Sequence, residues 1–161
     1  MRIVIDSRER EPYEFKGKDC ETVTGTLMTG DYSLFSMETL VSVERKSLDD
    51  LIMCLTTERG RFEKELARSR GYEYFTVLIE ANLHDLANGN YRSKMLPHSA
   101  LQSVFAMMQR YRVPFLFAGN RKGAEYSCFW LLEKFLREKT ICLENILKLQ
   151  FHQGKDAQKE T

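Results

Sequence analysis

Short runs of apolar residues, some continuous and β-branched and others alternating with polar residues, fill the first third of the chain. Such runs are typical of β-strands, and they predict strands over residues 2–6, 22–27, 32–35 and 40–46. The polar links between these runs are short, which favours a hairpin or meander of antiparallel strands. The chain is therefore predicted to build part of a sheet before its first helix.

Apolar residues recur every three or four positions after residue 46, which is the spacing of helices. Ser47 is a good N-cap for the first of them. Further helices are predicted over residues 61–70, 99–110, 124–138 and 144–149.

Two apolar runs, 74–80 and 113–118, have the length and composition of buried parallel strands. The polar segment 82–97 between them is typical of a loop or lid. We therefore expect one α/β domain over residues 1–150, with a mixed central sheet flanked by helices. Residues 151–161 are predicted to form a polar mobile tail.

Composition and charge narrow the class of protein. The chain has 161 residues, of which 43% are hydrophobic, and this suffices for one core. The formal charge of +1 excludes a binder that coats nucleic acid with positive charge, so any such contact has to be local. The start of the chain is acidic too early for a signal peptide, and no long apolar run follows. Four scattered cysteines predict reduced, mostly buried thiols, so we expect a cytoplasmic protein without a membrane contact.

The strand predicted over residues 40–46 ends in charged side chains. Because alternate residues share a face, Glu44 and Lys46 point to one side, and Asp31 follows Gly30 in the preceding turn. Two carboxylates suit Mg²⁺, and a nearby ammonium group can orient a water molecule or balance charge at a phosphate. The spacing predicts a metal-dependent phosphodiesterase site. The alternative is an ordinary surface ion pair between Glu44 and Lys46.

Several blocks of the sequence together resemble the nuclease domain of the XPF family, which includes the archaeal Hef nuclease. The signature of that family is GDX(n)ERKXXXD, and the chain reads Gly30-Asp31, then Glu44-Arg45-Lys46, then Asp50. The flanking blocks keep the order of the family: Ile5-Asp6-Ser7-Arg8-Glu9, Gly60-Arg61-Phe62 and Val77-Leu78-Ile79-Glu80. The resemblance covers residues 2–138, far more than the acidic motif alone.

This resemblance implies a restriction-endonuclease-like three-layer fold and DNA hydrolysis that depends on Mg²⁺ or Mn²⁺. Similar proteins cut branched DNA or duplex/single-strand junctions in DNA repair and recombination, and they commonly work as homodimers. We therefore expect a structure-selective endodeoxyribonuclease with DNA as its partner. Family members usually add a tandem helix-hairpin-helix module, for which 161 residues leave no room, so a protein partner could supply further grip on DNA.

The resemblance also implies which side chains hold the metal. Asp31 and Glu44 would be the principal ligands, aided by a backbone carbonyl. Glu9 and Asp6 would complete or support the ligand shell. Lys46 would be the catalytic cation.

Other roles are implied around this centre. Asp50 and Arg8 would orient the catalytic groups, and Arg45 would position backbone phosphate or lock the site by an ion pair. Arg8, Arg45 and Arg61 would contact DNA, whereas Glu80 is expected to support the site without binding metal.

Ordinary structural alternatives stand beside these roles. Asp31 next to a glycine is common turn chemistry, and Asp50 in a first helical turn favours the helix dipole. A nuclease fold can also persist as a non-catalytic DNA-binding or dimerisation module. Calorimetry with Mn²⁺ separates that alternative from an enzyme, because a module without a metal role shows no binding that depends on Glu44.

Overall fold

One six-stranded sheet organises the chain, which the computed structural model describes over residues 1–156 and, beyond residue 150, for the backbone alone. The strands are β1 (Arg2–Asp6), β2 (Glu21–Gly25), β3 (Tyr32–Leu34), β4 (Val41–Lys46), β5 (Tyr74–Ile79) and β6 (Phe115–Phe117). Their order across the sheet is β2-β1-β3-β4-β5-β6. β3 pairs antiparallel with β1 and β4, whereas β4, β5 and β6 are parallel.

Helices cover both faces of this sheet. They are α1 (Leu48–Leu55), α2 (Arg59–Arg68), α3 (Leu83–Asn88), α4 (Pro97–Tyr111) and α5 (Arg121–Asp156), with a 3-10 turn at Ser69–Gly71. Apolar side chains of α1 to α4 pack on one face, and the buried residues Cys128 and Leu132 of α5 pack on the other. The result is the predicted three-layer α/β fold with a mixed central sheet.

The pairing of the first two strands corrects the predicted meander. β1 and β2 are parallel, with Arg2 opposite Glu21, and β3 takes the antiparallel place on the other side of β1. The connection over residues 7–20 is long enough to carry the chain back to the same end of the sheet. Tyr13 and Phe15 of this connection are buried in the core, so it is part of the packed structure.

The segment predicted as a loop or lid contains a helix, so that prediction is wrong for α3. Asn82 and Asp85 form a capping box at its start, and Gly89 ends it in the left-handed conformation with φ 72°. Leu86 of this helix is fully buried. One buried leucine and a reciprocal cap therefore stabilise six helical residues that periodicity did not indicate.

The last two predicted helices are in fact one. α5 runs from Arg121 to Asp156 without the interruption expected before residue 144. Residues 157–161 of the predicted tail lie outside the described residues, and the domain boundary at residue 150 stays a prediction.

All four cysteines are free thiols. Cys54 and Cys128 are buried, Cys20 is half-buried and Cys142 is exposed, so the expected burial holds for half of them. Within the described part of the chain, no helix combines the length and apolar character needed to cross a membrane.

Candidate active site

The predicted catalytic residues meet at one edge of the sheet. β1, β4 and β5 all end there, and the antiparallel strand β3 begins there. Asp6 and Lys46 are the last residues of β1 and β4, and Asp31 directly precedes β3. The topology therefore brings together side chains that are widely separated in the sequence.

Strand β4 sorts its charged residues onto two faces. Glu44 and Lys46 lie on the same side, where the Lys46 Nζ contacts the Glu44 Oε1 and lies 5.0 Å from the centre of the Phe62 ring. Pairing with Val77 and Ile79 of β5 fixes the backbone of both residues. Each is only 7% exposed, so this pair is not the ordinary surface ion pair of the alternative interpretation.

Backbone geometry fixes Asp31 beside this pair. Gly30 adopts φ 83°, and a Cβ atom there would lie 2.0 Å from the Ser42 Oγ, so only glycine fits. The Asp31 amide donates to the Val43 carbonyl at 2.8 Å, and the Asp31 Oδ2 accepts from the Arg45 amide at 2.7 Å. The Gly-Asp pair is thus both a turn and the means by which the carboxylate is held.

Two neighbouring concavities, of about 370 and 420 Å³, open at this edge. Asp31, Glu44 and Arg8 line both of them. Lys46 lines the first concavity, and Glu9 lines the second. The carboxylates of Asp31 and Glu44 therefore converge on one space, as their spacing in the sequence predicts.

Burial and like charge perturb both carboxyl groups. Burial raises the pKa of Asp31 to about 7, with further increases from the charges of Glu9 and Glu65, although the Arg45 amide and Lys46 act in the opposite direction. Burial and the charge of Asp31 also raise the pKa of Glu44 above its ordinary value. The site thus concentrates negative charge that one lysine only partly balances.

Burial alone would lower the pKa of the Lys46 ammonium, but the carboxylate of Glu44 outweighs it and the net pKa is raised. Lys46 therefore stays protonated at neutral pH. Its fixed positive charge lies at the wall that it shares with Asp31 and Glu44.

The carboxylate pair fits a hard divalent cation. Mg²⁺ is usually held by one or two carboxylates together with water and substrate oxygens, and Asp31 and Glu44 offer two buried carboxylates with excess negative charge. Among the side chains that the structure describes, no cluster of three or more His, Cys, Asp or Glu residues is arranged to hold a metal. Asp31 and Glu44 are therefore the side chains that would hold such an ion, and the contributions expected of Glu9 and Asp6 stay predictions.

Arg45 points to the opposite face and is locked there. Its guanidinium forms a fork with Glu80, with distances of 2.8 and 2.9 Å, and lies 3.5 Å from Glu9. Tyr13 and Arg121 donate to the same Glu80 carboxylate, at 3.0 and 3.1 Å. The hydrogen bonds and charge of Glu80 raise the pKa of Arg45, and those of Arg45 hold the pKa of Glu80 below its usual range despite burial. Arg45 therefore forms an ion pair of the expected kind. Because Arg45 also lines the second concavity, its contact with DNA stays a prediction.

Both carboxylate oxygens of Asp6 accept hydrogen bonds, so a supporting role fits this residue and its contact with a metal stays a prediction. Its carboxylate accepts two hydrogen bonds from the Arg8 guanidinium, at 2.7 and 3.0 Å. It also accepts from the amides of Arg8 and Leu27, at 2.9 and 2.7 Å. Asp6 thus fixes the loop after β1 and holds Arg8, which is mostly exposed at the edge of both concavities.

The remaining predicted residues lie around the rim. The side chain of Glu9 is 7% exposed, lies next to Arg45 and lines the concavity with Asp31. Asp50 accepts a hydrogen bond from the hydroxyl of Ser47 at 2.7 Å, which ties it to the cap of α1 although it also faces the concavity. Arg61 is exposed and paired with Glu58, the N-cap residue before its helix, so its contact with DNA stays a prediction.

Three residues of the site were not predicted from the sequence. Glu65 of α2 lines the first concavity and accepts a hydrogen bond from Thr29 at 3.4 Å. Tyr13 and Arg121 reach Glu80 from the long connection and from α5. A signal existed for Glu65 alone, because it lies four positions after Arg61 and therefore on the same helical face.

Fold and site together define a class. A mixed sheet between helical layers, with two carboxylates and a lysine at one edge, is a nuclease domain of the restriction-endonuclease-like fold.

The comparisons with known proteins identify the family. A family model described as the ERCC4 domain matches residues 5–128, and the chain belongs to that family, which is the family of XPF nuclease domains. A comparison with curated proteins finds no match.

Two solved structures share the fold. XPF from Aeropyrum pernix superposes with a TM-score of 0.67 at 22% identity, over 83% of this chain and 60% of that one. The same protein in complex with DNA gives a TM-score of 0.68 at 22% identity, over 85% of this chain and 66% of that one. The chain thus spans less than two thirds of the length of each solved chain. These similarities establish the fold of the chain.

Proposed function

We propose that the chain is an endodeoxyribonuclease that needs Mg²⁺ or Mn²⁺ and hydrolyses phosphodiester bonds of branched or junction DNA in repair or recombination. The observation that carries the proposal is the convergence of Asp31 and Glu44 on one space with Lys46 at its wall. Family membership supports it, and so does the relative that was solved with DNA.

In this proposal Asp31 and Glu44 hold the divalent ion, which when bound withdraws charge from a phosphate oxygen. Lys46 contributes a fixed positive charge beside the scissile phosphate, where charge develops as water attacks the phosphorus and the P–O bond to the leaving oxygen breaks. Burial strengthens this interaction because little solvent screens it.

The Arg45–Glu80 pair positions the carboxylate of Asp31. The Arg45 amide holds the Asp31 carboxylate, and the fork to Glu80 fixes the backbone from which that amide projects. Arg8 lies at the edge of both concavities, and it is the residue of the predicted DNA-contacting set that is best placed to meet a phosphate there.

Cleavage assays on flap, fork, nicked and linear duplex DNA test the proposal. The wild-type chain should cut a branched substrate with Mg²⁺ or Mn²⁺ and leave it intact with a chelator. Asp31→Ala and Glu44→Ala should abolish cleavage and still bind DNA, whereas Asp19→Asn removes an equal charge at an exposed position and should cut normally.

Calorimetry with Mn²⁺ then separates an enzyme from a non-catalytic module. Binding that disappears in Glu44→Ala supports the proposed site. Intact substrates under every metal condition, together with Mn²⁺ binding that does not depend on Glu44, would remove the proposal and leave a DNA-binding or dimerisation module.

We infer a homodimer as part of the proposal. Exposed aliphatic side chains follow one another on the described part of α5: Ile141, Leu143, Ile146, Leu147 and Leu149. Such a surface supports association with another chain. Sedimentation of the wild-type chain should give twice the monomer mass, and Ile146→Glu should give the monomer.

The four free thiols also support an intracellular, reducing setting.

A further inference from the structure

A groove separate from the two concavities of the candidate active site lies next to them, between residues 12–18 and the start of α5. Its volume is about 340 Å³, and we call it the arm groove. Six of the side chains that line it decide its chemistry: Lys16, Lys18, Arg121, Lys122, Glu125 and Tyr126. Arg121 also reaches Glu80 of the candidate active site, whereas the other five belong neither to that site nor to the motifs that indicated it.

Positive charge dominates this groove. Four cationic side chains face two carboxylates, Glu14 and Glu125, and both carboxylates are already engaged. Glu14 pairs with Lys16, and Glu125 accepts a hydrogen bond from the amide of Phe15. The exposed ammonium group of Lys122 therefore faces solvent beside a groove with a surplus of positive charge.

An aromatic platform lies beside these charges. Tyr126 is 58% exposed, although tyrosine is usually more deeply buried, and its ring borders the groove. The Lys18 Nζ lies 4.9 Å from the centre of this ring and 5.3 Å from that of Trp130, so the cation is held at the platform. Proteins bind single-stranded nucleic acid with cationic side chains along its phosphate backbone and with aromatic rings on which its bases stack.

The arm groove continues directly from the carboxylate site. Glu11 lines the concavity that contains Asp31 and Glu44, and the next residue, Pro12, lines the groove. Arg121 joins the two, because it donates to the carbonyl oxygens of Glu11 and Pro12. A DNA strand that leaves the carboxylate site across Glu11 and Pro12 therefore enters the arm groove.

We propose that the arm groove binds the unpaired arm of a DNA substrate next to the cleaved bond. The inference rests on the proposed nuclease function and adds which part of a branched substrate is recognised. Lys122 contacts a phosphate, and Tyr126 stacks on a base. Only an unpaired base exposes a face to an aromatic side chain, so the groove selects a single strand over a duplex.

Fluorescence polarisation with a labelled oligothymidylate, in chelator so that nothing is cut, tests this inference. Lys122→Ala should lower the slope of log affinity against log salt concentration by about 0.7, the value for one lost phosphate contact on a single strand. Tyr126→Leu should weaken binding at least about fivefold without changing that slope, and Tyr126→Phe should bind like the wild-type chain.

Arg137→Ala is the matched control. It removes one exposed positive charge from the same helix, about 22 Å further along its axis than Lys122, and should change neither affinity nor slope. Circular dichroism of each variant checks that it is folded.

The inference would be overturned if Tyr126→Leu and Arg137→Ala bound the oligothymidylate with equal affinity. This holds even if Lys122→Ala binds it more weakly, because charge alone does not select unpaired bases. A wild-type chain that does not bind the oligothymidylate would overturn it as well. Failure of the wild-type chain to cut any substrate counts against the proposed function alone, since the binding measurement requires no cleavage.

Discussion

Replacing Asp31 by asparagine should make the protein more stable while it abolishes cleavage. The Asp31 carboxyl is buried among like charges, and its pKa rises from 3.8 to about 7. Asparagine keeps the size of the side chain and an oxygen that can accept the hydrogen bond from the Arg45 amide. The substitution therefore removes the charge and preserves the contact.

The expected gain follows from proton linkage. Between pH 3.8 and about 7 the folded chain retains the proton on Asp31 that the unfolded chain has lost, so the free energy of unfolding falls as pH rises. Above pH 7 the loss is complete and amounts to about 4 kcal/mol. Asparagine does not titrate, so Asp31→Asn should exceed the wild-type chain in stability by about 4 kcal/mol at pH 8 and by about 1.5 kcal/mol at pH 5.

Urea unfolding followed by circular dichroism measures both differences. Asp19→Asn serves as the control, because it removes an exposed aspartate and should change stability by less than about 0.5 kcal/mol at either pH. Added Mg²⁺ should stabilise the wild-type chain and leave Asp31→Asn unchanged. The reasoning would be refuted by an Asp31→Asn chain that is less stable than wild type at pH 8, or by a difference that does not grow with pH.

Three further predictions concern the neighbours of Asp31. Lys46→Met should abolish cleavage and destabilise the fold by about 3 kcal/mol at pH 8, because Glu44 loses its partner, and adding Glu44→Gln should restore most of that stability in urea unfolding. Asp6→Asn should destabilise the fold by about 2 kcal/mol yet leave Mn²⁺ affinity unchanged in calorimetry, and a tenfold weaker affinity would return Asp6 to the ligand set. Glu80→Gln should slow single-turnover cleavage about tenfold without weakening DNA binding, since it breaks the fork to Arg45. Because the pKa of Glu80 is lowered, the stability that it contributes is lost on acidification, so melting curves of Glu80→Gln should show less acid dependence than those of the wild-type chain.

Local patterns predicted the parts of the fold that local chemistry determines. The alternation along β4 correctly placed Glu44 and Lys46 on one face and Arg45 on the other, because a strand backbone alone dictates that arrangement. Ser47 caps α1 as predicted, since its hydroxyl needs only an amide three positions away.

Pairings between distant segments were beyond the reach of these patterns. The parallel register of β1 and β2 depends on how Tyr13 and Phe15 pack in the core, which alternation within either strand does not reveal. The resemblance implied that Asp6 completes or supports the metal shell, whereas its hydrogen bond from the Leu27 amide, twenty-one positions away, could not be predicted from the sequence. The sequence thus indicated which residues reach the site, whereas their partners emerged only from the folded chain.

Arg45 serves two separable purposes. Its main-chain amide holds Asp31, which any residue except proline could do, while its side chain connects the sheet through Glu80 to Arg121 at the start of α5. Changing the side chain at position 45 would therefore remove one of the partners that hold Glu80, to which Arg121 donates, yet preserve the bond to the carboxylate. To make cleavage respond to a partner bound at α5, one would therefore vary the side chain of Arg45 and keep Asp31 and Glu44.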